Sequence, residues 1–288
     1  MLHRFILHND RIHEASERVL APGQIGLLSG WGVFTTLKVA DGVPFAFERH
    51  WARISRDAAT MNVPLPPNSE ALRRKLLELV EANQALNSTL RLVIVRNGGG
   101  MWAGPSTGCE SDVIALTADS KDWGEGVKLG IVAHARHAAC EFAHTKILSW
   151  AMNLTWVERA HENGLDEVIL LNEHGDVAEC TSANIFAAFG GQVWTPPVAS
   201  GCLPGITREI LLGEIRVPGI QVAEKKLTAA DLQNADEVFI TSTTRNLLPV
   251  REIAGKPVGR TDHAFHAISK AFGDYVDRYV AARKAAAV

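Results

Sequence analysis

Glycine and proline fall so often along this chain, 24 and 12 times in 288 residues, that its apolar runs are cut to the length of single strands and short helices. Glycine frees the backbone for turns and proline removes an amide donor, so both interrupt regular structure. No internal repeat and no low-complexity segment offers another organising pattern. What remains is an alternation of short elements of both kinds. Arg91–Arg96 and Asp112–Thr117 are short and β-branched, which predicts strands. From Phe47 to Met61 the spacing puts Phe47, Trp51, Ile54, Ala58 and Met61 near one face, which predicts a helix. Glu70 to Asn83 reads as a second helix. Further on, Val127 to Ala133, Asp166 to Asn172 and Glu237 to Ser242 read as strands, with shorter strand pieces at Val177, Ile185–Phe186 and Val193–Trp194. Leu148 to Asn163, Ile206 to Ile215 and Asp262 to Ala286 read as helices. Strands and helices mix in both halves, so the expectation is an α/β chain of two α+β domains. The polar segment from Asp119 to Gly126 carries two glycines and marks a linker. The expected division is an N-terminal α/β domain over 1–118, a linker over 119–126 and a C-terminal α/β domain over 127–288.

The chain is long enough for two ordinary domains. Its 47% hydrophobic and 21% charged residues are a normal globular mix. With 29 basic against 32 acidic residues, a net charge of -3, nothing points to nucleic acid or to an anionic membrane surface. No apolar run approaches the roughly 20 residues that span a bilayer. The apolar part of the N-terminus is too short for a signal peptide. Four scattered cysteines, Cys109, Cys140, Cys180 and Cys202, suit a reducing cytoplasm better than a disulfide framework.

Several residues are of types that carry chemistry. Leu203-Pro204-Gly205-Ile206-Thr207-Arg208 leads into a helix. Gly205 lets backbone approach a ligand, the helix start offers free N–H groups and a positive dipole end, and Thr207 adds a hydroxyl. The same pattern also suits an ordinary capped helix start. Thr241-Ser242-Thr243-Thr244 ends a buried strand with four hydroxyls, either an anion cup or a solvated turn. Arg53, one helical turn past Arg49, can complete a phosphate site with its fork of donors or sit at the surface. Glu179 lies in a stretch of small and apolar residues, where a carboxylate needs a partner unless it faces water at an edge. Lys146 in His144-Thr145-Lys146-Ile147-Leu148 has apolar neighbours, which favour a neutral, nucleophilic amine. His134, His137, Cys140 and His144 are spaced like metal ligands, but no second cluster accompanies them and no metal is expected.

The order of these segments resembles the class IV aminotransferases, the fold-type IV enzymes dependent on pyridoxal 5'-phosphate (PLP). The family includes branched-chain aminotransferases, D-amino-acid aminotransferases and 4-amino-4-deoxychorismate lyases. The resemblance runs from about Leu27 to Val250. It is most specific in Gly164 to Asn172, in Gly175 to Phe186, in Thr195-Pro196-Pro197 and in Leu203 to Arg208, and it continues through Ala235 to Ser242 and Pro249-Val250. It implies a fold-type IV architecture with PLP between the two domains, and a cytoplasmic homodimer. Lys146, in the C-terminal domain, becomes the Schiff-base lysine, which also shuttles the proton between the substrate α-carbon and C4' of the cofactor. Glu179 faces the pyridine nitrogen and keeps it protonated. Arg53, Ile206, Thr207, Ser242 and Thr243 hold the phosphate, and Leu203 packs on the ring.

Substrate choice is carried by fewer residues. Ser29-Gly30-Trp31-Gly32-Val33-Phe34-Thr35-Thr36 is similar to the family's pocket segment, but Ser29 and Trp31 stand where many members have a tyrosine and an acid. Trp31 either narrows the pocket or fills core. Phe34-Thr35-Thr36 is like the lyase branch. After Arg96, the segment Asn97 to Trp102 lacks the arginine and histidine that D-amino-acid aminotransferases place there, and the branched-chain pattern is missing too. The substrate-facing candidates are Trp31, Thr36, Thr244 and Arg245; Arg245 either holds a substrate carboxylate or faces solvent. The expected activity is ping-pong transfer of an amino group between an amino acid, apolar or branched-chain, and a 2-oxo acid. The alternatives are 4-amino-4-deoxychorismate lyase, which releases pyruvate by β-elimination, and D-amino-acid aminotransferase.

Overall fold

The short elements assemble on two β-sheets. The computed structural model describes residues 1–100 and 108–286. The chain divides into two compact units: Met1–Lys121 with Thr145–Trp150 and Arg278–Val288, and Asp122–His144 with Ala151–Asp277. The segment Thr145–Trp150, which includes Lys146, therefore belongs with the first unit, although its place in the sequence put it in the C-terminal half.

In the first unit, β1 (Leu2–His8), β2 (Arg11–Glu14), β3 (Gly32–Ala40), β4 (Val43–Pro44), β5 (Ser88–Arg96) and β6 (Ser111–Asp119) form one sheet. Their order is β2-β1-β6-β5-β3-β4, and every pairing is antiparallel. Helix α1 (Ile25–Ser29) precedes β3, and α2 (Phe47–Thr60) and α3 (Ser69–Ala82) precede β5. Asn68 caps α3 by accepting the Ala71 N–H at 2.9 Å. Ile54, Ala58, Leu72, Leu76 and Leu79 of the helices meet Val33, Leu37, Leu90, Leu92 and Ile94 of the sheet in one buried core. Alternation along a strand sends Phe34, Val93 and Val95 to the opposite face, where Leu148 and Trp150 pack on them.

The second unit holds β7 (Val127–Arg136), α4 (Ala151–Glu162), β8 (Glu167–Asn172), β9 (Val177–Cys180), β10 (Asn184–Phe189), β11 (Gln192–Thr195), α5 (Ile206–Gly213), β12 (Gln221–Glu224), α6 (Ala229–Asn234), β13 (Glu237–Ser242), β14 (Asn246–Ile253) and β15 (Lys256–Pro257). Its sheet runs β12-β11-β10-β13-β14-β7-β8-β9, with β15 beside β14. Pairs β11–β12, β14–β7 and β7–β8 are parallel. Phe186 and Phe239 stack in its interior with centroids 5.2 Å apart. The final helix, α7 (His263–Ala285), starts in this unit and ends in the first. The architecture is the α/β class expected. The helix expected from Leu148 begins at Ala151, because Leu148 donates its N–H to Gly32 O at 2.8 Å and joins the first unit's sheet instead. Among the described residues no helix is long and apolar enough to cross a membrane.

The start of α7 is fixed by a buried carboxylate. Glu237 accepts the N–H groups of Ala264 at 2.9 Å and Phe265 at 2.7 Å, and the hydroxyl of Thr261 at 2.8 Å. These amides are orphaned at any helix start, and a charged acceptor strengthens each bond. Glu237→Ala is expected to cost about 2–3 kcal/mol, read as a lower urea midpoint; an unchanged midpoint would show that water caps the helix equally well.

Candidate active site

In the first unit the reactive-lysine candidate is held by its backbone. Phe34 N–H donates to Lys146 O at 3.1 Å, and Lys146 N–H donates to the buried Asp57 at 3.1 Å. Val33 and Ile147 form an antiparallel bridge between them. Gly32 makes the approach possible: a Cβ there would meet Ile94 O at 2.5 Å and Leu148 Cδ2 at 3.3 Å. So pinned, Lys146 Nζ sits 4.5 Å from the centre of the Phe34 ring and 5.8 Å from that of Trp150. The negative ring faces attract its ammonium form.

Arg53 lies on the inward face of α2 rather than at the surface, 7% exposed. Its Nη2 donates to Thr35 Oγ1 at 2.9 Å, and Thr35 Oγ1 lies 2.7 Å from His50 Nδ1. A guanidinium only donates, so the threonine hydroxyl spends its own proton on His50 Nδ1. The imidazole proton is then on Nε2, which is buried without a hydrogen-bond partner among the described residues. Burial first, then the charges of Arg53 and Lys146, hold the His50 pKa well below its usual 6.5.

Arg91 was not singled out from the sequence. It pairs in register with Thr36, and its guanidinium lies 4.1 Å from the Phe34 ring centre. Burial lowers its pKa, and no carboxylate ion pair answers it among the described residues. Thr36 is half-buried. Trp31 donates its indole N–H to Met61 O at 2.8 Å and packs against the core, with Arg96 over its ring at 4.2 Å. Of the segment Asn97 to Trp102, Met101 and Trp102 lie outside the described residues.

In the second unit, Glu179 is on β9 and nearly buried. Arg136 Nη2 and Leu203 N–H donate to its two oxygens, each at 3.0 Å. Arg136 is a second residue the sequence did not reveal. Leu203 O accepts from Asn184 Nδ2 at 2.8 Å, which ties the loop before α5 to β10. That loop runs through Gly205, where a Cβ would meet Asn184 Oδ1 at 2.1 Å. Gly205 is the N-cap of α5 and supplies no side-chain cap, so the first-turn amides around Ile206 and Thr207 are uncapped by any side chain of that residue. At the end of β13, Ser242 Oγ is 3.3 Å from Thr244 Oγ1 and accepts the Arg245 N–H at 3.2 Å. The adjacent Thr241 Oγ1 is buried with no partner among the described residues. Arg245 does not face solvent; its side chain is 7% exposed and pairs with Glu167 at 2.8 Å.

The histidines before Lys146 go separate ways. His137 meets Glu173 at 2.9 Å, and Glu173 is pulled down to about 2, first by the Ala138 N–H. His144 meets Cys202 O at 3.2 Å. No group of three or more His, Cys, Asp or Glu among the described residues is placed to hold a metal.

Comparison with known proteins gives this arrangement a family. The model of "Amino-transferase class IV" matches residues 32–253. The chain is 32% identical over 258 residues to the D-alanine aminotransferase of Bacillus licheniformis, covering 88% of this chain and 90% of that one. Its fold matches the crystal structure of the branched-chain aminotransferase from the archaeon Thermoproteus uzoniensis with norvaline, at a TM-score of 0.83 and 25% identity over 93% of each chain. It also matches a hypothetical aminotransferase from Mycobacterium tuberculosis in its PLP-bound form, at 0.84 and 23%, covering 94% of this chain and 98% of that one.

The neutral state of His50 has a measurable consequence. The unfolded chain takes up this proton near the ordinary 6.5, while the folded chain resists it to well below that value. The stability this contributes to is complete above about 6.5 and drains away as pH falls, at up to about 1.4 kcal/mol per pH unit. His50→Asn keeps an acceptor for Thr35 and removes the proton site. Its urea midpoint is expected to fall less steeply than that of the parent between pH 6.5 and 5; parallel profiles would contradict a neutral buried His50.

Proposed function

The chain belongs to the class IV aminotransferases, and from that we propose that it moves an amino group between an apolar or branched-chain amino acid and a 2-oxo acid by a ping-pong mechanism on pyridoxal 5'-phosphate. The observation that carries this reading is the Lys146 amine, fixed through its backbone and set 4.5 Å from the Phe34 ring. The donors present suit the cofactor's three parts. An amine among aromatic rings suits its aldehyde. The nearly buried carboxylate of Glu179 suits its ring nitrogen. The α5 amides without a side-chain cap and the orphaned Thr241 hydroxyl suit its phosphate.

In this reading Lys146 Nζ holds the cofactor and then carries the proton to and from the substrate α-carbon. Bound there, the cofactor supplies a protonated pyridine that takes up the electron pair left at that carbon. Arg136 and the Leu203 N–H hold the Glu179 carboxylate in one orientation toward the ring nitrogen. Arg53, the N–H of Ile206, Thr207, Ser242 and Thr243 hold the phosphate, and Leu203 covers the ring. Thr35 and the neutral His50 fix the Arg53 fork. Arg91 takes the substrate carboxylate, since a half-buried guanidinium stays charged and, among the described residues, meets the Phe34 ring and no carboxylate. Thr36, which shares that strand face, and Thr244 complete the substrate side, while Trp31, packed into the helix-side core, takes no part in it. An apolar donor is favoured because Val93, Val95 and Trp150 line the same face as Phe34, and norvaline, the ligand of the Thermoproteus uzoniensis enzyme, is apolar. We also propose a cytoplasmic homodimer. Four free thiols suit a reducing compartment, and exposed Leu27, Leu28, Met152 and Leu154 suit contact with a second copy.

The test is the first half-reaction. Leucine, valine or norvaline added alone is expected to convert the bound cofactor to its amine form, seen as loss of the aldehyde-form absorption. Adding 2-oxoglutarate is expected to restore it. D-enantiomers run in parallel decide the hand. No change with any amino acid of either hand, together with pyruvate release from 4-amino-4-deoxychorismate, would replace this reading by the lyase. Glu179→Gln keeps the shape and the Leu203 contact but loses the charge. Turnover is expected to drop by a factor of ~10² or more with the cofactor retained, a few kcal/mol at about 1.4 kcal/mol per tenfold. Near-normal turnover would mean that another residue faces the nitrogen.

A further inference from the structure

Glu167 is a carboxylate buried at the start of β8, its side chain 1% exposed. It accepts the Thr181 hydroxyl at 2.6 Å, the Ser182 hydroxyl at 3.0 Å and the Ser182 N–H. Arg245 Nη2 reaches its other oxygen at 2.8 Å, while Nη1 donates to Ser182 Oγ at 2.8 Å. The Arg245 guanidinium lies 3.9 Å from the centre of the Trp123 ring. Desolvation of both charges cancels most of what their attraction gains, so stability alone is a poor account of the pair.

What the pair joins is more informative. On one side is the Thr181–Ser182 turn, which directly follows β9 and its Glu179. On the other is the turn from Ser242 to Arg245, where the Arg245 N–H donates to Ser242 Oγ at 3.2 Å and Ser242 Oγ lies 3.3 Å from Thr244 Oγ1. The sequence offered Arg245 as a substrate-carboxylate residue or a surface arginine; its two terminal guanidinium nitrogens are instead committed within the second unit, while its buried Nε has no hydrogen-bond partner among the described residues.

We infer that the Glu167–Arg245 pair is a positioning clamp that sets the spacing between Glu179, at the ring-nitrogen end of the cofactor, and the Ser242–Thr243 hydroxyls, at its phosphate end. This rests on the proposed function. The cofactor is a rigid ligand gripped at two ends. Its affinity depends on both grips lying within about 0.5 Å of the right separation, because the second contact is gained only if the geometry permits it together with the first. A ligand that occupies one end alone does not sense the spacing.

The clamp is tested on the full chain freed of cofactor. PLP binding is followed by equilibrium dialysis, and inorganic phosphate binding by phosphorus NMR titration. Ser182→Ala removes one bond to each charge without stranding either. Glu167→Gln with Arg245→Met removes both charges together, which avoids a lone buried ion. In both, the PLP dissociation constant is expected to rise at least tenfold while that of phosphate stays within twofold of the parent. Arg245→Lys, which keeps the charge and loses the fork, is expected to fall between. PLP and phosphate affinities that are both unchanged, or that weaken by the same factor, would overturn the clamp, the latter because a generally loosened fold affects both ligands alike. If the double variant does not fold, Ser182→Ala decides by the same two readings. A parent chain that takes up no PLP would refute the functional reading, and the clamp with it, before any variant is made.

Discussion

The hydrogen bonds from Phe34 N–H to Lys146 O and from Leu148 N–H to Gly32 O solve a problem peculiar to lysine. Its side chain carries about 2 kcal/mol of rotamer entropy, so contacts to the amine alone are a weak means of placing it. Here the main chain on either side of Lys146 is paired to the end of β3, and its own N–H is held by Asp57. Asp57 stands one turn along α2 from Arg53, so one helix sets both the lysine backbone and the buried guanidinium. Gly32 is the permissive element, since a side chain there would strike Ile94 O.

Around that frame, most of the buried charges are answered by something in their own unit. Arg53 is met by Thr35, whose hydroxyl then commits His50 to its neutral form. Glu179 is met by Arg136 and the Leu203 N–H, and Glu167 by Arg245 and two hydroxyls. A buried ion left alone costs several kcal/mol. Prearranged partners let a site keep charge out of water without collapsing onto it. The half-buried Arg91 departs from this pattern, with an aromatic ring as neighbour and no carboxylate among the described residues. That is the condition expected of a group whose counter-ion arrives with the substrate.

Much of this was legible in the sequence, because the signals were local. The apolar spacing of Phe47, Ile54 and Ala58 and the β-branched run at Arg91–Arg96 gave α2 and β5, and the order of motifs from Gly164 to Ser242 pointed to the family that the comparisons established. What stayed hidden depends on contacts between distant segments. Leu148–Trp150 has helical periodicity, but backbone pairing with β3 overrides it. His50, Thr35, Arg91 and Arg136 carry no local mark, since strand alternation and register alone bring Thr35 to α2 and Arg91 beside Phe34. Arg245 had two open readings, substrate contact or solvent, because Glu167 is remote in sequence.

The face of β3 and β5 that bears Phe34 also limits how sharply a donor can be selected in the proposed function. Arg91 identifies a carboxylate but not the side chain attached to it. Phe34, Val93 and Val95 are buried on that face beneath Leu148 and Trp150, and an apolar lining separates ligands that differ by one methylene by only about 1–3 kcal/mol. A polar side chain is rejected more strongly, because it loses water and gains no hydrogen bond there. In the proposed function the physical expectation is therefore a graded preference among apolar amino acids and discrimination against polar ones that cannot reach Thr36, set by the apolar character of most of that face rather than by any residue shaped to one substrate.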